Sequence, residues 1–315
     1  MYGLKEAGII EYKHLVKNLL PYGYAPMQHI PGVWKHRSRK TTFTLCVDDF
    51  GVKYFTKGDA EHLIAAVQAN YECTVDWTGS TYYGMNLQWN YDQEYVDVAM
   101  HDYVDRALAK YNHTPPQRPQ HAPHAWLEPK YGKQGPQLPT KQSTEPTLND
   151  KETKRIQSIS GTLNSEIDPC RKPALNEIAR EQAKPTLKTK RRTKHLLDYL
   201  ATNPDATLRY HASDMILVFE TDAAYLVQPE AKSRASGRFI LTNKPATTIK
   251  INAPMHVMCS TIKNVVASAA EAAIASIYLG CQRACPMQVL LAELGHPNLP
   301  MAHPYSQTIE QQKEF

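Results

Sequence analysis

Two adjacent aspartates, Asp48 and Asp49, stand inside an apolar strand pattern, TLCVDDFGVKYF at 44–55. Leu45 and Val47 precede them, and Phe50, Val52, Tyr54 and Phe55 follow. Side-by-side carboxylates in such a run are costly to bury unless something positive meets them. Carboxylates projecting from a tight hairpin can hold Mg²⁺, a hard ion that takes oxygen ligands and keeps some of its waters. Two such ions, roughly 3.5–4 Å apart, clamp the attacking and leaving oxygens of a phosphoryl transfer. A strand–Asp–Asp–strand hairpin therefore suits nucleotide polymerisation. It equally suits a plain solvated turn, because Asp is a common turn former.

Asp222 and Glu271 form a second candidate set. Asp222 ends an apolar strand in MILVFETDAAYLV, and Glu271 lies in a helical pattern, half a turn from its apolar stripe. A strand acid and a helix acid facing a common edge could hold a metal for phosphodiester hydrolysis. They could also be an ordinary strand-end acid and an exposed helix acid. The basic run KTKRRTKH at 188–195, with Lys188, Lys190, Arg191, Arg192 and Lys194, reads either as a phosphate contact or as a solvated helix face. Tyr2-Gly3-Leu4-Lys5 supplies a glycine turn before a helix, and a lysine there could touch a triphosphate as a point charge.

Periodicity supplies the elements that must position these groups. Residues 6–20 carry apolar residues at three and four, the spacing of an amphipathic helix. Residues 41–47 and 50–55 alternate as two strands with the aspartates near the bend. Residues 58–71 predict a helix with Asp59 as its N-cap. Residues 81–98 have strand-like aromatic density, and 101–111 a short helix. Residues 113–150 hold eight of the 22 prolines, which predicts a linker or a loop laid over a surface. Residues 151–203 return to helix. From 206 the chain reads as strands, with SRASG as a turn between the first two and TTIKINAP and MHVMC as more strand. A long helix over 260–280 follows, with Ile262, Val266, Ala269, Ala273 and Ile277 as its stripe. Strands followed by a helix suggest an α/β or α+β domain.

The totals set wide bounds. A chain of 315 residues holds one large or two ordinary domains. A formal charge of +5 fits a nucleic-acid partner without requiring one. The six cysteines form no CxxC pair. Cys281 and Cys285, four apart, lack the further ligands a zinc site needs, so free thiols in a reducing compartment are expected. The N-terminal stretch lacks the uninterrupted apolar core of a signal peptide, and no run is long and apolar enough to span a bilayer. The expectation is a soluble intracellular chain, cytoplasmic or nuclear, with no membrane partner.

Six stretches taken in order resemble the reverse transcriptase and ribonuclease H segments of copia-type LTR retrotransposon polyproteins. They are MYGLKEAG, LCVDDF, STYYGMNLQWNYD, IQSISGTLN, TDAAYLVQPEAKSRASGRFIL and ASAAEAA. The resemblance implies an α+β fold in four parts. Residues 1–112 would be a partial palm, 113–150 a Pro-rich linker, 151–205 a helical thumb or connection, and 206–315 a ribonuclease H-like domain. It implies that Asp48 and Asp49 match the paired palm aspartates. Tyr2, Gly3, Leu4 and Lys5 would match the stretch beside the incoming nucleotide and template. Tyr83 and Gly84 would match the turn that supports the primer end, and Asp222 and Glu271 the first two ribonuclease H acids. The basic helix falls where such proteins grip the duplex. Implied cofactors are Mg²⁺ or Mn²⁺. Implied partners are an RNA template, a DNA primer or an RNA–DNA hybrid, and the rest of the polyprotein.

The sequence also departs from the pattern. The family's third palm aspartate and its fingers precede the stretch where this sequence begins. Near the end, HPYSQTIEQQ places Ser306 and Gln307 where the family carries an acid and an amide, and neither replaces an anionic ligand. After Gly161, Asn164, Ser165 and Glu166 stand where the family has aromatic or aliphatic residues. The expectation is a polymerase fragment without activity of its own, or alternatively a non-catalytic binder of RNA–DNA duplex.

Overall fold

The computed structural model describes residues 6–125, 145–165, 167–228, 231–243 and 252–296. The fold is mixed α+β with three antiparallel sheets. The chain divides into two compact units. Of the described residues, one unit comprises 6–87 with 289–296, and the other those within 88–288.

In the first unit, helix α1 (Ala7–Leu19) turns through Leu20–Tyr22 into a sheet of order β1-β2-β3-β4. Its strands are β1 (Tyr24–Pro26), β2 (Val33–His36), β3 (Thr42–Cys46) and β4 (Asp49–Lys53). Helix α2 (Lys57–Gln68) follows. Leu15, Leu19, Tyr24, Trp34, Phe43, Leu63, Ala66 and Val67 make one buried cluster, with the Trp34 and Phe43 rings stacked at 5.5 Å. Each large side chain buried there contributes about 1.5–3 kcal/mol. The α2 cap differs from expectation. Thr56 is the N-cap: its Oγ1 accepts from Asp59 N at 3.3 Å and donates to Asp59 Oδ2 at 2.8 Å. Asp59 is therefore the third helical residue. Its Oδ1 accepts from Arg39.

Strands β5 (Thr81–Tyr82) and β6 (Met85–Asn90) form a hairpin, and the boundary between the units runs through β6. In the second unit, β7 (Tyr95–Ala99) pairs antiparallel with β8 (Thr207–His211). Four helices share a core of Val104, Leu108, Ile156, Leu163, Leu175, Ile178, Leu196 and Leu200. They are α3 (Tyr103–Lys110), α4 (Asp150–Leu163), α5 (Lys172–Glu181) and α6 (Leu187–Thr202). The described parts of the Pro-rich stretch lie on α6. Gln120 N donates to Thr202 Oγ1, and Leu148 N donates to Pro185 O just before the helix.

The third sheet has the order β11-β10-β9, from β9 (Ile216–Gln228), β10 (Lys232–Thr242) and β11 (His256–Thr261). Helix α7 (Ala269–Glu293) packs on it through Ala272, Ser276, Gly280 and Ala284. Two expectations change here. The SRASG stretch, 233–237, is not a turn but part of β10, paired along β9. The helix begins at Ala269, so Ile262 and Val266 precede it, and its buried stripe is Ala272-Ser276-Gly280-Ala284 rather than Ala269-Ala273-Ile277. Gly280 explains the small residues, because a Cβ there would lie 2.8 Å from the Phe219 ring. Most of the TTIKINAP stretch lies outside the described residues.

Candidate metal and nucleic-acid site

Pairing Cys46 with Asp49 leaves Val47 and Asp48 as a two-residue turn between β3 and β4. Val47 has φ 56° and is 81% exposed. A positive φ at the first central position alone is the sign pattern of a type II′ turn, one of the two that match strand twist. A β-branched residue there is strained by about 1–3 kcal/mol. The tip therefore holds Asp48 in the turn and Asp49 at the first position of β4, both exposed.

A second hairpin sits against the first. Pairing Tyr82 with Met85 leaves Tyr83 and Gly84 as its turn, at φ 50° and 72°. Two positive values are the type I′ pattern, for which Gly at the second position is favoured. The Tyr82 hydroxyl lies 2.9 Å from Thr44 Oγ1, two residues before Cys46. Gly51 permits this seating, since a Cβ there would lie 2.7 Å from Thr44 Oγ1 and 3.1 Å from the Tyr82 ring. The Tyr83 phenol is pushed up, first by its bond to Cys46 and then by the charges of Cys46 and Asp49. Asp48, Asp49, Tyr83 and Gly84, 35 residues apart in sequence, are thus brought to one corner. Before that hairpin, Asp76 accepts from Thr78 and Ser80 through both backbone and side chain, which holds its carboxyl well below the usual range.

The donor set at this corner is incomplete for a metal. Among the described residues no group of three or more His, Cys, Asp or Glu side chains is placed to hold an ion. Mg²⁺ is often bound by one or two carboxylates plus substrate phosphates, so Asp48 and Asp49 fit part of such a set and no more. Tyr2, Gly3, Leu4 and Lys5, and Ser306 and Gln307, lie outside the described residues.

Asp222 and Glu271 are not brought onto a common face. Successive strand side chains alternate between faces. Phe219 and Thr221 meet Gly280 of α7, so Asp222 lies on the opposite face, with Glu220 and its partner Arg238. Glu271 instead caps α7: Ser268 Oγ accepts from Glu271 N at 3.1 Å, and Glu271 Oε2 accepts from Ala267 N at 2.7 Å. This reciprocal pair is close to a capping box.

On α6, four of the five basic residues are paired with acids. Lys190 meets Glu152, Arg191 meets Glu145 at 2.6 Å, and Lys194 meets Asp198 at 2.7 Å. Arg192 bonds Glu181 at 3.0 Å and approaches Glu177, which also pairs with Arg234 of β10. Those guanidinium groups hold the Glu177 carboxyl below its usual range despite burial. Lys188 is exposed. The helix face is thus largely neutralised, which weakens it as a phosphate track.

A basic feature that the motifs above omit is the β2–β3 turn. KHRSRK at 35–40 places Lys35, Arg37, Arg39 and Lys40 within six residues, all exposed. The density of that run was the available signal. All six cysteines are free thiols. No described helix is long and apolar enough to cross a membrane. No family model, curated protein or solved structure matches the chain.

Proposed function

We propose that the chain is a reverse transcriptase-like segment of copia type followed by a ribonuclease H-like region, which holds an RNA–DNA duplex and does not extend a primer by itself. The observation that carries the reading is the juxtaposition of the Asp48–Asp49 tip with the Tyr83–Gly84 turn. An aspartate pair at a hairpin tip, with a second turn against it, is what holding a primer end beside bound metal would require. The four-stranded antiparallel sheet with α1 and α2 supports a palm-like reading, and the three-stranded antiparallel sheet carrying α7 supports a ribonuclease H-like one.

In this reading Asp48 and Asp49 would present carboxylate oxygens to a divalent ion. Mg²⁺ or Mn²⁺, when bound, would supply charge neutralisation. Tyr83 and Gly84 limit where a strand end can lie. Two carboxylates are too few to organise the in-line displacement, which supports a holding role over a catalytic one.

The test uses purified full chain, an RNA template with an annealed DNA primer, and Mg²⁺. No extension is expected. Affinity for the hybrid should fall steeply between low and moderate salt, since neutralised phosphates release counterions. Affinity that is flat with salt overturns the holding role. Mg²⁺-dependent extension that Asp48→Asn abolishes overturns the catalytic silence.

A further inference from the structure

The far end of β4 carries a second surface with its own chemistry. Tyr54 and Phe55 follow the strand, and Phe55 is 68% exposed. The Trp77 ring, 46% exposed, meets Tyr54 edge-on at 6.4 Å. Lys40 Nζ lies 4.9 Å from the Phe55 ring centre, and Lys57 Nζ 5.2 Å from that of Trp77. Thr42, beside the basic turn, pairs with Lys53. Lys40 and Lys57 thus lie against two of three exposed rings, and Arg37, Arg39 and Lys53 are exposed on the adjoining turn and strand end.

The turn that carries these cations is organised in advance. Ser38 N and Arg39 N both donate to His36 Nδ1, at 3.1 and 2.9 Å. That nitrogen must accept, so Nε2 carries the proton and donates to Tyr22 O at 3.0 Å. Three acids lie nearby and all are engaged: Asp59 with Arg39 at 3.0 Å, Glu61 with Lys57 at 3.8 Å, and Asp76, next to Trp77, with Thr78 and Ser80. The surface retains an excess of positive charge.

We propose that this lysine–aromatic cluster, Lys40, Phe55, Lys57 and Trp77 with Tyr54, is a stacking platform for single-stranded nucleic acid. Unpaired bases stack on exposed aromatic rings while nearby cations track the phosphates, and the combination is tolerant of sequence. A duplex keeps its bases stacked internally and cannot use the rings in this way. A membrane surface is the less fitting occupant, because Lys40 and Lys57 lie over the Phe55 and Trp77 rings instead of leaving one continuous apolar face. Phe55 lies six residues beyond Asp49, about 20 Å at strand rise, so the platform is separate from the aspartate tip. The inference does not rest on the polymerase-like reading.

The experiment measures binding of the full chain to fluorescein-labelled oligo(dT) and oligo(U) by anisotropy, across salt. It compares the wild type with the double variant Phe55→Ala/Trp77→Ala, with Phe55→Leu/Trp77→Leu, and with Tyr278→Ala on α7. Both double variants should weaken binding at least about tenfold, the stacking worth of one base. Tyr278→Ala, which removes an exposed ring outside the cluster, should bind as the wild type does. Trp77→Phe keeps a ring and should retain most of the affinity, which separates lost stacking from lost folding. Absence of oligonucleotide binding, or unchanged affinity in both double variants, overturns the proposal. So does binding to phosphatidylserine vesicles that the oligonucleotides do not displace.

Discussion

The Tyr82 hydroxyl lies 2.9 Å from Thr44 Oγ1, and that bond ties the turn bearing Tyr83 and Gly84 to the strand that leads into Asp48 and Asp49. Around it there is no spare room, because Gly51 faces both groups across β3 and β4. A Gly51→Val substitution should therefore separate the two hairpins and destabilise the first unit by about 1–3 kcal/mol, the usual range for overpacking. Tyr82→Phe removes only the hydroxyl contact and should cost about 1 kcal/mol. Urea unfolding of the two variants beside the wild type checks both, and equal stability of Gly51→Val would contradict the seating.

Val47 occupies the left-handed region with little burial to lose. Asn tolerates that backbone far better than a β-branched residue. Val47→Asn should raise stability by about 1 kcal/mol, read as a higher thermal midpoint. A lower midpoint would show that Val47 makes contacts its exposure conceals.

Glu271 and Ser268 make a measurable distinction between capping and metal binding. Ser268→Ala should cost about 1 kcal/mol through the lost cap. Glu271→Gln keeps an acceptor for Ala267 N and should cost less than Glu271→Ala. Added Mg²⁺ should leave the order unchanged. A Mg²⁺-dependent loss on Glu271→Gln alone would restore a ligand role to this residue.

Asp76 gives the loop before β5 a pH signature. Its folded carboxyl is depressed, chiefly by the Thr78 and Ser80 side-chain bonds. A depressed carboxyl contributes above its unfolded value and loses that contribution as pH falls through the folded one. The loop should therefore stay ordered down to about pH 4, the ordinary carboxylate range, and loosen only below it. Amide exchange at Thr78 and Ser80 follows this directly. Asp76→Asn should be loose at every pH, and equal protection in both proteins would dismiss the role.

How much of this was legible in the sequence depends on the range of each interaction. The aspartate hairpin was, because apolar alternation on both sides leaves Asp48 and Asp49 at a bend. Its exact turn was not, since pairing Cys46 with Asp49 is settled by strand register. Ser233–Gly237 resembles a turn in composition, yet Gly237 is there because a Cβ would press within 3.0 Å of Glu220 O. Ile262 and Val266 satisfy helical spacing, but the Ser268–Glu271 cap starts the helix after them. The basic run on α6 looked free because Glu145 and Glu152, which neutralise Arg191 and Lys190, lie 46 and 38 residues away. The cationic turn at 35–40 was legible as a dense run. Its aromatic neighbours, Phe55 and Trp77, required the fold.

The central claim is that the aspartate tip and the Tyr83–Gly84 turn form one corner that takes a divalent ion with nucleic acid. Fe²⁺ substituted for Mg²⁺, with ascorbate and a bound RNA–DNA hybrid, cuts a polypeptide next to wherever the ion sits. The account predicts cleavage around residues 46–50 and again around 82–84, lost in Asp48→Asn/Asp49→Asn. Cleavage elsewhere only, or cleavage at both places that survives the double variant, would contradict it.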